Sequence, residues 1–288
     1  MKLTNRTGLP AALVKATSVG MRGSPQQGRI SVTELIAPPQ VRALSQRHWD
    51  EITEDVSDRI WAVMGTAVHQ VMQHAAHDNT LSEERLVVEI DGWQLSGIPD
   101  LYEDVNGGTL SDWKNVSVWT IVHEGDGKPE WEQQVNCYRW LLERHGFPVV
   151  HAQIIAFLRD WSTRKAVQEP DYPKEQVRVI PVKLWSMQET ENYIRGRIVL
   201  HQAAADGAIA PCTSEEQWEK PTTYAVMKGL NKRASRVLDS ETVAQQWAAD
   251  NLKPTDKWRI ETRPGEQVRC QYYCRVSQFC PQMQKVPA

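Results

Sequence analysis

"RLVVEIDGWQLSGIPDLYEDVNGGTLSDWKNVS", residues 85–117, decides how this chain is read. Two turn signals divide it, Asp91-Gly92 and Asn106-Gly107-Gly108. Both supply the positive φ that a tight hairpin needs. The spacing predicts three strands, near 85–90, 93–103 and 109–117, in an antiparallel meander. With Asn106 at the centre of the second turn, facing positions sum to 212, so Asp100 stands opposite Asp112. Facing residues share a side of the sheet and lie about 4.5–5.5 Å apart. Two carboxylates at that distance repel, and a divalent cation between them removes the conflict. Oxygen-rich sites of this kind suit Mg²⁺ or Mn²⁺. Lys114 is two residues beyond Asp112 and points the same way. A metal with a fixed positive charge beside it is what phosphodiester cleavage requires. An isolated Asp-x-Lys, however, is ordinarily a solvated surface pair, so the surrounding sequence has to decide.

Outward from the hairpins, residues 51–77 carry Ile60, Met64, Ala67, Val68, Val71 and Ala75 at helical spacing, with His69 beside that stripe. "PEWEQQVNCYRWLLERHG" predicts a helix with Pro129 in its first turn and Gly146 at its end. "PVVHAQIIAFLRD" and "QVRVIPVKLW" read as strands. "SMQETENYIRGRIVLHQAAADG" opens on a capping box, Ser186 to Glu189, and closes near Gly207. One more helix is expected near 241–251. The expected division is 1–54, an irregular and helical N-terminal segment; 55–207, the core; and 208–288, a basic, cysteine-bearing appendage packed on that core.

Gly-x-Pro-Asp at 97–100 followed by Asp-x-Lys at 112–114 resembles the PD-(D/E)XK nuclease superfamily. The order helix, three-stranded meander, helix, strand matches the restriction-endonuclease-like α/β core. Within it the chain is similar to the RecB-like branch, which includes the CRISPR-adaptation exonucleases and many phage exonucleases. That branch has a histidine in a Gly-x-x-x-His setting, here "GTAVH" with His69, and Gln-x-x-x-Tyr on the next helix, here Gln134 and Tyr138. The resemblance implies His69, Asp100, Asp112 and the Trp113 backbone carbonyl as metal ligands. It implies Lys114 beside the water, and Gln134 and Tyr138 on phosphate or orienting the site. Glu89 is a weaker candidate. The implied activity is Mg²⁺- or Mn²⁺-dependent cleavage of DNA. Attack on free or single-stranded ends in recombination, repair or phage DNA metabolism is expected, because no separate recognition domain is evident. Such an exonuclease would work beside a recombination partner such as a single-strand annealing protein. The rivals are a nicking or structure-specific endonuclease, and a degenerate DNA-binding or assembly module.

Cys270, Cys274 and Cys280 form a tight trio, with Cys212 well upstream. Four thiolates can hold a 4Fe-4S cluster or zinc. One remote cysteine plus a trio resembles the iron–sulfur staple of RecB-like nucleases, although there the remote cysteine precedes the histidine. Cys137 is expected in the core. Tyr224, Lys228, Lys232, Arg233 and Arg236 form a basic stretch that could grip a DNA backbone or remain a solvated face.

The bulk composition is neutral on nucleic acid, with a net charge of -3. Any contact with it must therefore come from local patches or bound metal. Twelve Trp against three Phe is unusual; core packing is expected for most of them, including Trp113 and Trp119 near the proposed site. No apolar run is long enough for a membrane span or a signal peptide, so a cytoplasmic location is expected, the bacterial host's if the protein is phage-encoded. "GDGKP" is not a phosphate loop: Val122 stands where a glycine is required.

Overall fold

In the computed structural model the turn at 106–108 forms as its residues require, with φ of 54°, 86° and 98°. A Cβ on Gly108 would overlap the carbonyl oxygen of Pro148. The described residues are all except 20, 22, 78, 126 and 286–288. They form a mixed α/β protein that separates into two compact units, Met1–Ala210 and Pro211–Ala288.

The first unit runs β1 (Lys2–Thr4), α1 (Ala11–Ser18), β2 (Arg29–Ser31), α2 (Val32–Ile36), α3 (Pro39–Arg47), β3 (Thr53–Asp55) and α4 (Ile60–Ala75). It continues through β4 (Thr80–Leu81), β5 (Leu86–Ile90), β6 (Trp93–Gly97), β7 (Leu101–Glu103), β8 (Thr109–Val116) and α5 (Val118–Glu124). The last elements are α6 (Pro129–Arg144), β9 (His151–Leu158), α7 (Thr163–Gln168), β10 (Val177–Pro181) and α8 (Met187–Ala205). Residues 1–54 are thus woven into this unit: β1 pairs with β3, and β2 runs parallel to β6.

The hairpin register is the one the turn dictates: Leu101 faces Ser111, Tyr102 faces Leu110 and Glu103 faces Thr109, each pair summing to 212. The single meander is not found. Strands β5 and β6 belong to a three-stranded sheet ordered β2-β6-β5, whereas β7 and β8 lie in a five-stranded sheet ordered β10-β9-β8-β7-β4. The expected strand 93–103 breaks after Gly97, where Pro99 has no N–H to continue a ladder. The backbone changes sheets at Ile98-Pro99-Asp100 and delivers Asp100 from a bend rather than from a strand.

Strands β8 and β9 are parallel, joined through α5 and α6, as a parallel pair requires a long crossover. On β9 every second residue is buried: Ala152, Ile154, Ala156 and Leu158. Their partners on β8 are Leu110, Asp112, Lys114 and Val116. The acid and the lysine therefore point to the core side of the sheet. There α6 supplies Trp131, Val135, Trp140, Leu141 and Leu142, and α8 supplies Ile194 and Ile198. Helix α8 begins on the expected capping box, Ser186 N–H donating to Glu189 Oε2 at 2.7 Å.

Helix α4 differs from expectation in two ways. It starts at Ile60, because Thr53–Asp55 is extended and Val56–Arg59 forms a 3-10 turn capped by Asp55. Its apolar stripe is not buried: Met64 is 45% exposed and Val71 64%. The helix covers a polar cleft instead of a hydrophobic layer, so its inward face is Gly65, Thr66 and His69.

The second unit contains an antiparallel sheet that the sequence reading lacks: β12 (Thr223–Lys228) between β13 (Arg236–Leu238) and β14 (Trp258–Arg263). A short pair, β11 (Glu219–Lys220) with β15 (Glu266–Gln267), stands beside it. Helix α9 (Glu241–Asn251) lays Ala244 and Ala248 on Val226. Among the described residues no helix is long and apolar enough to cross a membrane.

Candidate metal centre

Asp112 is buried, 1% exposed at the middle of β8. Its Oδ2 forms an ion pair with Lys114 Nζ at 2.5 Å, and neither carboxylate oxygen has a hydrogen bond of proper geometry among the described residues. Burial raises its pKa to about 6; Lys114 opposes that rise and Asp100 adds to it. The Asp100 carboxylate is fixed by the Trp113 backbone N–H, which donates to Oδ2 at 2.7 Å. Its backbone carbonyl accepts from the Ser82 hydroxyl at 3.0 Å.

His69 reaches into this corner from α4. Its Nδ1 is 2.7 Å from Glu83 Oε1 and 3.4 Å from Asp100 Oδ1. Those two contacts, Asp100's first, raise its pKa to about 10. The ring is therefore an imidazolium that binds two carboxylates together. His69, Glu83 and Asp100 offer ligand atoms that all lie within 4.8 Å of one another. One imidazole nitrogen with carboxylate oxygens suits a divalent cation of the Mg²⁺–Mn²⁺ type, Mn²⁺ tolerating the nitrogen better. Metal binding there would displace the imidazole proton. Asp112, expected among the ligands, is not part of this trio, and its Oδ2 is taken up by Lys114. The residues present fit a metal.

Glu83 is absent from the sequence reading. It lies in the turn before β5 with φ of 55°, a left-handed conformation uncommon for a glutamate. Strain of this kind persists where surrounding structure holds it, here the bond to His69. No motif marks the residue; in sequence it is one of several acids near a loop.

Behind Lys114, Gln134 Oε1 accepts from Nζ at 3.0 Å, and Gln134 Nε2 donates to the Tyr138 hydroxyl at 3.0 Å. Tyr138 is 6% exposed, and burial holds its hydroxyl well above the ordinary phenol range. Leu141 and the Tyr138 ring explain Gly97: a Cβ there would meet Leu141 Cδ1 at 2.5 Å and Tyr138 Cδ1 at 2.9 Å. His69, Glu83, Asp100, Lys114, Gln134 and Tyr138 all line one cleft of about 940 Å³.

Other expected residues lie elsewhere. Glu89 is exposed on β5, facing Gln94. Trp113 alternates to the opposite side of β8, its ring 6.3 Å from that of Phe157. Trp119 is not core: it is 40% exposed, with Lys165 4.5 Å over its ring. Cys137 is fully buried, as expected.

In the second unit Tyr224 packs against the Val226–Ala244–Ala248 cluster, and Lys228 is paired to Asp256 at 3.0 Å. Lys232, Arg233 and Arg236 line a cavity of about 600 Å³ together with Arg263, a residue the sequence reading did not include. The cysteines form no disulfide. Burial lifts the Cys212 thiol to about 12, with Cys270, Cys280 and Cys274 adding to the effect. Gln282 holds the Cys212 backbone at both N–H and carbonyl, each at 3.0 Å. Among the described residues, no three of the four sulfurs come within 4.8 Å of one another.

No protein-family profile matches the chain, and no curated protein matches it in sequence. Among solved structures, a protein designated SSO0001 is similar with a TM-score of 0.47 at 13% identity, over 65% of this chain and 84% of that one. An alkaline exonuclease, LHK-Exo from Laribacter hongkongensis, is similar with a TM-score of 0.35 at 12% identity, over 62% of this chain and 90% of that one. The functional reading rests on the side chains described above.

Proposed function

We propose that this chain is a divalent-metal-dependent deoxyribonuclease acting on DNA ends. The observation that carries the reading is a buried carboxylate, Asp112, whose own lysine stands next to a His69–Glu83–Asp100 ligand set in one cleft. A bound Mg²⁺ or Mn²⁺ would polarise a phosphate oxygen and lower the pKa of a water. His69, Glu83, Asp100 and Asp112 would hold it, with Trp113 N–H keeping Asp100 aimed. Lys114 holds its ammonium between Asp112 and Gln134, where it faces developing negative charge at the phosphate. Gln134 and Tyr138 position that ammonium; Tyr138 is too deeply buried to be a main phosphate contact. With Mn²⁺ or Mg²⁺ the protein is expected to degrade linear DNA and leave closed circles intact. Cleavage of closed circles would replace the end-dependent reading with a nicking endonuclease, and inertness with every divalent ion would remove the nuclease reading.

For the second unit we propose a 4Fe-4S cluster on Cys212, Cys270, Cys274 and Cys280. Four thiols close enough to perturb one another support it. Protein purified without oxygen is expected to be brown and to release iron and sulfide on acidification. A colourless protein with one zinc per chain would reverse the assignment.

A further inference from the structure

The outward face of the β2-β6-β5 sheet forms one wall of the cleft that holds the metal ligands. Register places its residues. Arg29 and Ser31 alternate to the same side of β2, and Ser31 faces Ser96 on β6. Arg85, entering β5, brings its Nη1 to 3.3 Å from Ser96 Oγ, so it lies on that side too. Both arginines are exposed to solvent and both line the cleft. Neither has a carboxylate partner among the described residues: Arg29 donates to Gln26 Oε1 at 3.4 Å, and Arg85 to Ser96. The acids of the same cleft are already engaged. Glu34 closes the capping box with Ser31, and Glu83 and Asp100 hold His69.

An exposed guanidinium without an acid beside it is a ready phosphate ligand, because its planar fork matches phosphate oxygens. Two of them stand on a hydroxyl-bearing wall of the cleft that also holds His69, Glu83 and Asp100. Two guanidiniums on one wall of this open cleft of about 940 Å³ are placed to contact the phosphates of one strand.

We propose that Arg29 and Arg85 form a phosphate track for a single polynucleotide strand, binding backbone phosphates next to the one placed at His69, Glu83, Asp100 and Asp112. The track deepens the nuclease reading and rests on it for the direction of the strand, but its binding can be measured without turnover. The track is sequence-blind, since guanidiniums on phosphates carry no base information.

The test is fluorescence anisotropy of a labelled oligothymidylate on the full chain, with Ca²⁺ in place of Mg²⁺ or Mn²⁺, over a series of salt concentrations. Removing one cation that neutralises a phosphate lowers the slope of log K against log salt by about 0.7 for a single strand. Arg29→Ala/Arg85→Ala is expected to lower it by about 1.4 and to weaken binding at every salt, with an unchanged thermal melt. Arg164→Ala, on the exposed face of α7, where Arg164 Nε donates to Gln168 Oε1 at 3.3 Å, serves as the control and is expected to leave the slope as it is. A slope unchanged in the double variant overturns the track. Equal weakening on a blunt duplex without free single strand overturns its single-strand character. If the wild type cleaves nothing with any divalent ion and yet the double variant shows the reduced slope, the nuclease reading fails and the track stands.

Discussion

Asp112→Asn is expected to lose about a thousandfold of Mn²⁺-dependent release of nucleotides from linear DNA, while the folded protein remains as stable as the wild type to within about 1 kcal/mol. The first half follows from charge. A fixed anion that holds a metal and sets the position of a lysine contributes where charge develops in the transition state, and removing one such element typically costs about 10²–10³ in kcat. On the proposed reading Asp112 would serve both roles, so the upper end is expected. The second half follows from burial. Its carboxylate is 1% exposed, its oxygens lack well-formed hydrogen bonds, and its pKa is already lifted to about 6 by desolvation. Asparagine keeps the shape and removes the charge that is costly to bury. Lys114 keeps Gln134 as an acceptor. Initial rates of acid-soluble release, with a melt of each protein in chelator, measure both. A variant retaining more than a tenth of wild-type turnover would remove Asp112 from the chemistry. A variant that fails to fold would show the residue to be structural first.

The hairpin that carries this residue was legible because its determinants are local. Asn106-Gly107-Gly108 can form only a few turns, and period-two alternation then sets the pairs from Glu103–Thr109 to Leu101–Ser111, whereas Asp100, expected opposite Asp112, lies beyond the ladder in a bend. The ends of α6 and α8 were legible for the same reason: Pro129, Gly146 and the Ser186–Glu189 box act within one turn of themselves. What escaped was non-local. Strand β2 joins β6 across more than sixty residues, and nothing in "RIS" announces that pairing. The strand expected over 93–103 ran through Pro99, whose missing N–H argues for a break, and nothing in the sequence announces that β7 then joins a different sheet from β6. Helix α4 shows how periodicity misleads. Its strongest apolar stripe faces outward, because the surface it covers is a polar site, and there Gly65, Thr66 and His69 are the residues required. Glu83 was invisible for a related reason: its significance is its distance to His69 and Asp100, which come from two other segments.

Lys114→Met is expected to cost about 3 kcal/mol of stability, and Asp112→Asn/Lys114→Met to regain most of it. The lysine ammonium is 2.5 Å from Asp112 Oδ2 and is the nearest cation to it among the described residues, with a side chain only 20% exposed. Breaking a buried pair from one side leaves an uncompensated charge, at roughly 3–5 kcal/mol. The lower figure applies here because His69 also stabilises the carboxylate and because protonation offers a way out. Replacing both partners by neutral groups of similar shape removes the penalty, so the two effects should be strongly non-additive. The pH dependence has a definite sign. Asp112 has a folded pKa, about 6, above its ordinary value of 3.8, so its contribution favours the fold at low pH and is lost as pH rises through 6. Without Lys114 the folded pKa rises further, and the deficit of the single variant should be larger at pH 8 than at pH 5. Urea unfolding of all four proteins in chelator at both pH values completes the cycle. Additive losses, or a deficit that grows toward acid, would mean that Lys114 and Asp112 do not form the coupled pair on which the reading of this site depends.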